Sequence, residues 1–332
     1  MVMSEWIESV LQSEERLAIP IMTHPGIEMI NKKVIDAVKN GEIHFKAVEA
    51  IHNNFPGAAA NIMMDLTVEA EAFGCKINFS EDEVPNVASR IVYDEKSIND
   101  LPVPSLQNGR VPEYLKAAKL AAEKIKSKPV FAGCIGPISL AGRLFDMSEM
   151  MTSLYIEPEM IKILLGKCTD FLKKYVFEFK WLGANGVIMA EPAAGLLSGD
   201  MCDEFSSNYI KEIVDEVQDD NFLFILHNCG NTGQATQSMI STRAHALHFG
   251  NKIDIVGVLN EVPGNILVLG NLDPVGVFKL SDTETIYNET LNLLERTAMH
   301  KNYIISSGCD LPPGVPLENV NAFYNALSFF NK

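Results

Sequence analysis

The sequence predicts an α/β protein whose residues 1–332 form one domain, an eight-stranded parallel barrel of the (β/α)8 or TIM-barrel class. Three observations favour this fold class. Eight short apolar segments with strand-like composition run along the chain, and most are followed by a segment with helical periodicity. These segments are largely apolar instead of alternating with polar residues, as in strands buried on both faces. No G-x-G-x-x-G motif follows the first of them, which disfavours the alternative of a doubly wound open sheet.

The predicted elements follow one another in the order that a barrel requires. An N-terminal helical segment, 1–17, precedes the first strand, and a polar, proline-containing segment, 76–112, is expected to be an insertion after strand two. Helices are expected at 158–183 and 203–217, where apolar residues recur with helical spacing. The eight strands are predicted at 18–23, 58–66, 129–134, 186–192, 222–227, 245–250, 265–270 and 302–308.

The composition argues against partners such as nucleic acid and against a membrane location. The formal net charge is −16, whereas phosphate binding requires a basic surface. No apolar run is long enough to span a bilayer, and the first residues include acids where a signal peptide needs basic residues. The six cysteines lack the spacing of a disulfide framework, which leaves metal binding or buried thiols. We therefore expect a cytoplasmic protein.

Polar residues with chemically active side chains gather at the predicted carboxyl ends of the strands. In a TIM barrel these ends form one rim, and the active site lies there. Strand five ends at His227 and Cys229, and strand eight leads to Cys309. The sequence therefore predicts a site built from the ends of several strands. The other residues expected at this rim are Glu71, Cys134, Glu191, His248, Asn271, Asp273 and Asp310.

The spacing of His227 and Cys229 predicts a metal site. Residues two apart in an extended segment point to the same side, so both side chains can converge on one ion. Cys309, which lies 80 residues beyond Cys229 and follows a glycine, is the candidate third ligand. Thiolates with an imidazole favour zinc over magnesium or calcium, and three protein ligands leave one position open, as in catalytic zinc sites. The alternative is that the cysteines are small, buried apolar residues.

Four segments resemble motifs of the uroporphyrinogen decarboxylase superfamily, a group of TIM barrels. Within it, the chain is most similar to the zinc-dependent branch of corrinoid methyltransferases, the methylcobalamin:coenzyme M methyltransferase type. The decarboxylases carry arginines near strand one that hold the carboxylates of their substrate, whereas "IPIMTHPGIEMINKK" (19–33) has none. The four segments are "VEAEAFGC" (68–75), "HNCGNT" (227–232), "GNLDP" (270–274) and "GCDLPPGVPLENVNAF" (308–323).

The resemblance assigns roles to the residues at the rim. It implies that His227, Cys229 and Cys309 are the zinc ligands. Glu191 takes a position where the superfamily has an acid near the site, and the resemblance leaves it either as a fourth zinc ligand or as a hydrogen-bonding group. Glu71 stands where the decarboxylases have an aspartate after strand two, and it is the second candidate catalytic residue.

Three further residues are candidates for contacts with cofactor or substrate. His24 follows strand one, and Asn271 and Asp273 follow strand seven. For Asn271 and Asp273 the alternative is that they only shape the loop. His248 lies within an apolar run, so it is expected to be a core histidine with satisfied hydrogen bonds.

The resemblance also implies an activity in one-carbon metabolism such as methanogenesis. The enzyme would move a methyl group between a methyl-cobalt corrinoid (methylcobalamin), carried by a partner protein, and a thiol such as coenzyme M. Zinc would bind the thiol as a thiolate, the nucleophilic form. Three alternatives stay open: methyl transfer from an O-, N- or S-methylated donor to the corrinoid protein, a uroporphyrinogen decarboxylase-like activity, and a metal- or corrinoid-handling protein without turnover.

Overall fold

The computed structural model describes residues 1–332, which form nine strands and sixteen α-helices. Strands β1 to β9 are Ala60–Asn61, Ile77–Asn78, Asn86–Val87, Val130–Ile135, Gly186–Ala190, Leu223–Asn228, Ala246–Phe249, Leu267–Leu272 and Tyr303–Ser307. Helices α1 to α16 are Met3–Gln12, His24–Met29, Val34–Lys39, Gly41–Asn54, Val68–Phe73, Glu95–Asp100, Val111–Lys124, Pro137–Phe145, Met147–Ile156, Pro158–Trp181, Gly199–Cys202, Asn208–Val217, Thr236–Ser241, Ile255–Glu261, Thr283–Arg296 and Leu317–Phe330.

Seven of the strands form one parallel sheet, with the spatial order β1-β4-β5-β6-β7-β8-β9. Successive strands of this sheet are joined through helices, because a parallel pair needs a crossover connection. Every residue from β4 to β9 that lies in a strand of this sheet is buried, which explains why the strands are continuous apolar runs in the sequence. The predicted α/β barrel class is thus confirmed.

The segment 17–21 joins the two edges of the sheet into a barrel. Ala18 forms a parallel bridge with Ile305 of β9, and the Ile19 N–H donates to the Ile305 carbonyl at 3.0 Å. On the other side, the Ala58 N–H, just before β1, donates to the Ala18 carbonyl at 2.9 Å. Both sheet edges are therefore hydrogen-bonded to the same short segment.

The prediction of a regular first strand at 18–23 is wrong, because the segment makes only one bridge. Pro20 has no N–H to donate to a neighbouring strand. The Ile21 N–H donates to the Ser307 hydroxyl at 3.0 Å instead of to a main-chain carbonyl. The second predicted strand, 58–66, is likewise reduced to the two residues of β1.

Alternate side chains along the strands fill the barrel interior. Ile225 of β6, Leu269 of β8 and Ile304 of β9 belong to one buried apolar cluster that also includes Phe131 and Ile188. Residues two apart on a strand point to the same side. The next inward positions towards the carboxyl ends of β6, β7, β8 and β9 are therefore His227, His248, Asn271 and Ser306.

Helix α1 covers the amino-terminal end of the barrel. Met3 and Val10 are buried in the interior cluster. The ring of Trp6 packs edge-on against Phe131, with 6.0 Å between the ring centroids. The polar inward-facing residues therefore lie at the opposite, carboxyl-terminal rim.

The segment 76–112 leaves the barrel between α5 and α7. It contains the antiparallel pair β2–β3 and helix α6, and its last two residues already belong to α7, which begins at Val111. We propose that residues 1–332 form one barrel domain, with 1–17 as an N-terminal helical segment and 76–112 as an insertion. None of the helices has the combination of length and apolar character that a membrane span requires.

Candidate metal centre

Three metal-capable side chains meet at the carboxyl-terminal rim. His227 is the second-last residue of β6, Cys229 directly follows that strand, and Cys309 lies two residues after the end of β9. One ligand atom from each residue lies within 4.8 Å of the other two. Gly250, after β7, lets the next loop pass close to Cys229: a Cβ there would lie 2.6 Å from the Cys229 carbonyl oxygen. The three residues predicted from the sequence are therefore brought together by two strand ends, those of β6 and β9.

His227 presents one ring nitrogen that lacks a partner. The residue is buried, with 1% of its surface exposed, and its Nδ1 lies 2.8 Å from Nδ1 of His248. Its Nε2 is buried without any hydrogen bond. A buried polar atom without a partner costs about 1–3 kcal/mol, and imidazole Nε2 is a common metal ligand. The free nitrogen is therefore accounted for if it binds an ion.

The two cysteines lie close enough to influence each other's ionisation. The neighbouring Cys309 thiol lowers the pKa of Cys229, and the neighbouring Cys229 raises the pKa of Cys309. Both side chains are half-buried and neither forms a disulfide. Two soft sulfur donors and one imidazole fit zinc, and three ligands leave a fourth position open. The other cysteines are buried and lie outside this group: Cys75, Cys134, Cys168 and Cys202.

Glu191 binds a helix end instead of joining this cluster. Its Oε1 accepts the Ser139 N–H at 2.8 Å, and its Oε2 accepts the Ile138 N–H at 3.1 Å. Both donors belong to the first turn of α8, where free N–H groups favour a carboxylate. Burial raises the pKa of Glu191 to about 7. Of the two alternatives from the sequence, these contacts favour the hydrogen-bonding group, and Glu191 is not one of the three clustered residues.

Glu71 is paired with an arginine and is not one of the three clustered residues, and its catalytic role stays a prediction. Its Oε2 accepts from Nε of Arg110 at 2.5 Å, and Arg110 also binds the buried carboxylate of Asp65. Glu69, two residues earlier, is the more deeply buried glutamate of α5. Its Oε1 accepts the Ile135 N–H at 3.0 Å, and its Oε2 has no partner.

Sequence reasoning did not single out Glu69, because helical spacing does not separate it from Glu71. A spacing of four residues groups Glu69 with Phe73 and Glu71 with Cys75, and both of these partners are buried. Only the structure shows that Glu69 is buried, whereas Glu71 is partly exposed. Burial raises the pKa of Glu69 to about 7.

His24 lies beside the cluster, on the far side of Asp310. Its Nδ1 is 2.9 Å from the Leu311 carbonyl oxygen and 3.7 Å from Oδ2 of Asp310, the residue that follows Cys309. Its Nε2 is buried without a partner. His24 also lines a cavity of about 600 Å³ between α2 and the loop after β9. Burial raises the pKa of Asp310 to about 6.

Asn271 and Asp273 make the contacts of loop-shaping residues. Asn271 Nδ2 donates to the carbonyl of Gly250 at 2.9 Å and to that of Ile253 at 2.8 Å. Oδ1 of Asp273 accepts the N–H groups of Val275 and Gly276 at 2.9 and 2.8 Å. These hydrogen bonds agree with the alternative that both residues shape the loop, and contacts with cofactor or substrate stay a prediction.

His248 is a buried histidine with a partner on each ring nitrogen, as expected from the sequence. Nδ1 faces His227, and Nε2 is 2.9 Å from Oγ of Ser306. Burial and the neighbouring His227 lower the pKa of His248 well below its ordinary value. The β6–β7 register places His227 and His248 directly opposite each other. The sequence signal that could have predicted this contact is that β6 and β7 each carry a histidine at the matching position.

Known proteins of similar sequence and structure point to one family. A family model described as uroporphyrinogen decarboxylase (URO-D) matches residues 16–328. The chain is 29% identical to the methylcobamide:CoM methyltransferase MtbA of Methanosarcina mazei over 86% of this chain and 84% of that protein. It is 26% identical to a uroporphyrinogen decarboxylase of Legionella pneumophila (strain Lens) over 81% of this chain and 78% of that protein.

A solved structure of a methyltransferase from Methanosarcina mazei matches with a TM-score of 0.90 and 23% sequence identity, covering 100% of both chains. This shows that the whole chain has the fold of that protein. The motif resemblance found in the sequence is confirmed by the match across nearly the full length. The chain belongs to the uroporphyrinogen decarboxylase (URO-D) family.

Proposed function

We propose that this protein is a zinc-dependent methyltransferase that moves a methyl group between a corrinoid protein and a thiol such as coenzyme M. The observation that carries the proposal is the convergence of His227, Cys229 and Cys309 within 4.8 Å at the barrel rim. The relative named methylcobamide:CoM methyltransferase supports a methyltransferase with this pair of substrates.

The three side chains would hold the zinc ion through one imidazole and two thiolates. Their fit rests on the unpartnered Nε2 of His227 and on the two sulfurs, whose distances from this nitrogen and from each other are at most 4.8 Å. When bound, zinc supplies a Lewis acid that lowers the pKa of the acceptor thiol, so that the thiol binds as a thiolate. Because the two cysteine thiolates would neutralise the charge of the dication, a thiolate added at the open position would keep its negative charge and its nucleophilicity.

The barrel controls access to this site. Ile225 and Leu269 form part of the apolar layer below the inward-facing residues, and α1 covers the opposite end. Substrates therefore approach from the rim, where a partner protein can present a methyl-corrinoid. In the transfer, the sulfur–carbon bond forms as the cobalt–carbon bond breaks, and the electron pair of the broken bond stays on cobalt.

Decarboxylase activity, which also occurs among the relatives of this chain, is less well supported than methyl transfer. The decarboxylases hold the carboxylates of their substrate with arginines near the first strand, and 19–33 carries no arginine. Arg16, which precedes that segment, is buried and donates to three main-chain carbonyls of the loop after α15. The transfer in the opposite direction, from a methylated donor to the corrinoid, uses the same metal site and differs in the substrate that binds it.

The test is the zinc content of the wild type, of Cys309→Ser and of the control Cys75→Ala. We expect about one zinc per chain in the wild type and the control, as three ligands can hold one ion, and strong loss in Cys309→Ser. Methylation of 2-mercaptoethanesulfonate by methylcobalamin should follow the zinc content. Zinc-free, folded wild type would contradict the proposal, as would turnover of a porphyrinogen in place of thiol methylation.

A further inference from the structure

Four buried groups form a continuous hydrogen-bonded line that begins at the metal centre. His227 Nδ1 lies 2.8 Å from His248 Nδ1, and His248 Nε2 lies 2.9 Å from Ser306 Oγ. The Ser306 hydroxyl in turn lies 2.7 Å from the carbonyl oxygen of Ile19 in the barrel-closing segment. The three side chains are at most 1% exposed, so no solvent competes for these bonds.

The direction of every bond in this line follows from its last member. The Ile19 carbonyl can only accept, so the single hydroxyl hydrogen of Ser306 is donated to it. Ser306 must then accept from His248, which places the hydrogen of the neutral His248 ring on Nε2. Nδ1 of His248 is left as an acceptor. The hydrogen between the two Nδ1 atoms therefore belongs to His227.

This assignment leaves the lone pair of His227 on Nε2, the ring nitrogen without a partner. A neutral histidine in water prefers the opposite tautomer, with the hydrogen on Nε2, and that tautomer cannot bind a metal through Nε2. The buried hydrogen-bonded line therefore selects the tautomer of His227 that can bind a metal through Nε2. Outer partners that orient a metal-binding histidine typically change metal affinity by about 10- to 100-fold.

We propose that His248 is a positioning residue that holds His227 in the Nδ1–H tautomer, and that Ser306 and the Ile19 carbonyl fix the direction of the line. The inference rests on the proposed function, because it takes the ion that His227 binds to be zinc. It adds that the metal centre depends on the barrel-closing segment, because the terminal acceptor comes from Ile19. His248 itself contacts neither the ion nor the substrate.

The first test compares two substitutions of nearly equal shape, His248→Asn and His248→Leu. Asparagine offers a carbonyl oxygen near the place of Nδ1 and can accept the His227 hydrogen, whereas leucine cannot. Zinc dissociation constants are measured by competition with a chelator on protein shown to be folded. We expect Leu to weaken binding by about 10- to 100-fold and Asn to restore most of the affinity. Equal affinities for the two variants, with or without loss, would overturn the proposal.

The second test reads the tautomer in the metal-free protein. Nitrogen-15 NMR of histidine-labelled protein distinguishes Nδ1–H from Nε2–H, and the His227 signals are assigned by their loss in His227→Gln. We expect Nδ1–H in the wild type and a shift towards Nε2–H in His248→Leu. An Nε2–H form of His227 in the wild type would overturn the proposal. If the wild type binds no zinc while its His227 is Nδ1–H, the proposed function fails and the tautomer assignment stands.

Discussion

Glu69 is a buried carboxyl group whose ionisation opposes folding. Its pKa rises from 4.5 to about 7, chiefly because burial penalises the charged form. The side chain is 1% exposed, and only one of its two oxygens accepts a hydrogen bond. Below pH 4.5 the residue is neutral in the folded and the unfolded state. As pH rises from 4.5 through 7, the unfolded state ionises first, so stability is lost across this window.

We therefore predict that Glu69→Gln gains stability relative to the wild type as pH rises. The neutral amide can keep the bond to the Ile135 N–H and does not ionise. Between pH 4.5 and pH 8 the difference in unfolding free energy should shift by about 3 kcal/mol in favour of the variant. Urea unfolding at both pH values measures it. The other buried groups are shared by both proteins, so their titration cancels, and a difference that does not change with pH would contradict the prediction.

At the scale of elements, Glu191 links the end of β5 to the start of α8. The helix N-cap, Gly136, leaves just enough space for this link: a Cβ there would lie 2.3 Å from Oε2 of Glu191. The backbone of Gly136 has φ −89° and ψ 168°, which any residue adopts, so strain is not the reason for glycine. Close approach of the carboxylate is the reason.

Gly136→Ala is therefore expected to displace the carboxylate and leave buried N–H groups unpaired. The loss of stability should be about 2–3 kcal/mol. The matched control is Gly166→Ala in α10, where an added Cβ meets nothing within 4 Å. That change should stabilise the helix by about 0.5–1 kcal/mol. Urea unfolding measures the unfolding free energies of both variants and of the wild type. A Gly136→Ala protein as stable as the wild type would refute the role given to Glu191.

At the scale of the whole molecule, Arg16 anchors the barrel-closing segment. Its guanidinium donates to the carbonyls of His300, Tyr303, Thr297 and Ala298 at 2.5 to 3.2 Å. The residue is 8% exposed. One side chain thus fixes the segment 17–21 to the end of α15 and to β9, which completes the barrel.

We predict that Arg16→Met lowers the unfolding free energy by at least about 3 kcal/mol, because several buried carbonyls lose a charged donor. Arg296→Met is the matched control: Arg296 lies in α15, is half exposed and forms a surface ion pair with Asp254. Such pairs contribute about 0–1 kcal/mol. The two free energies are compared by urea denaturation, and similar values for both variants would show that Arg16 does not hold the barrel closed.

The sequence by itself determined the features that depend on local periodicity. Continuous apolar strands between helices are a property of neighbouring residues, so the barrel class follows from them. The spacing of His227 and Cys229 places both on one side of an extended segment for the same reason. The burial of Glu69 and the partial exposure of Glu71 are different, because helical spacing places both glutamates beside apolar residues and does not distinguish them.

Only the tertiary structure decided which distant groups meet. Pro20 has no N–H to donate, so the segment 17–21 cannot form a regular strand. The barrel still closes, because both sheet edges hydrogen-bond to this segment and Arg16, which precedes it, donates to the loop after α15. His248 and Ser306 contact each other across the barrel interior, although 58 residues separate them. Such contacts depend on how strands are brought together when the barrel closes, and no spacing along one strand encodes that. The proposed ligands can therefore be read from the sequence, whereas the groups proposed to hold them in position are visible only in the fold.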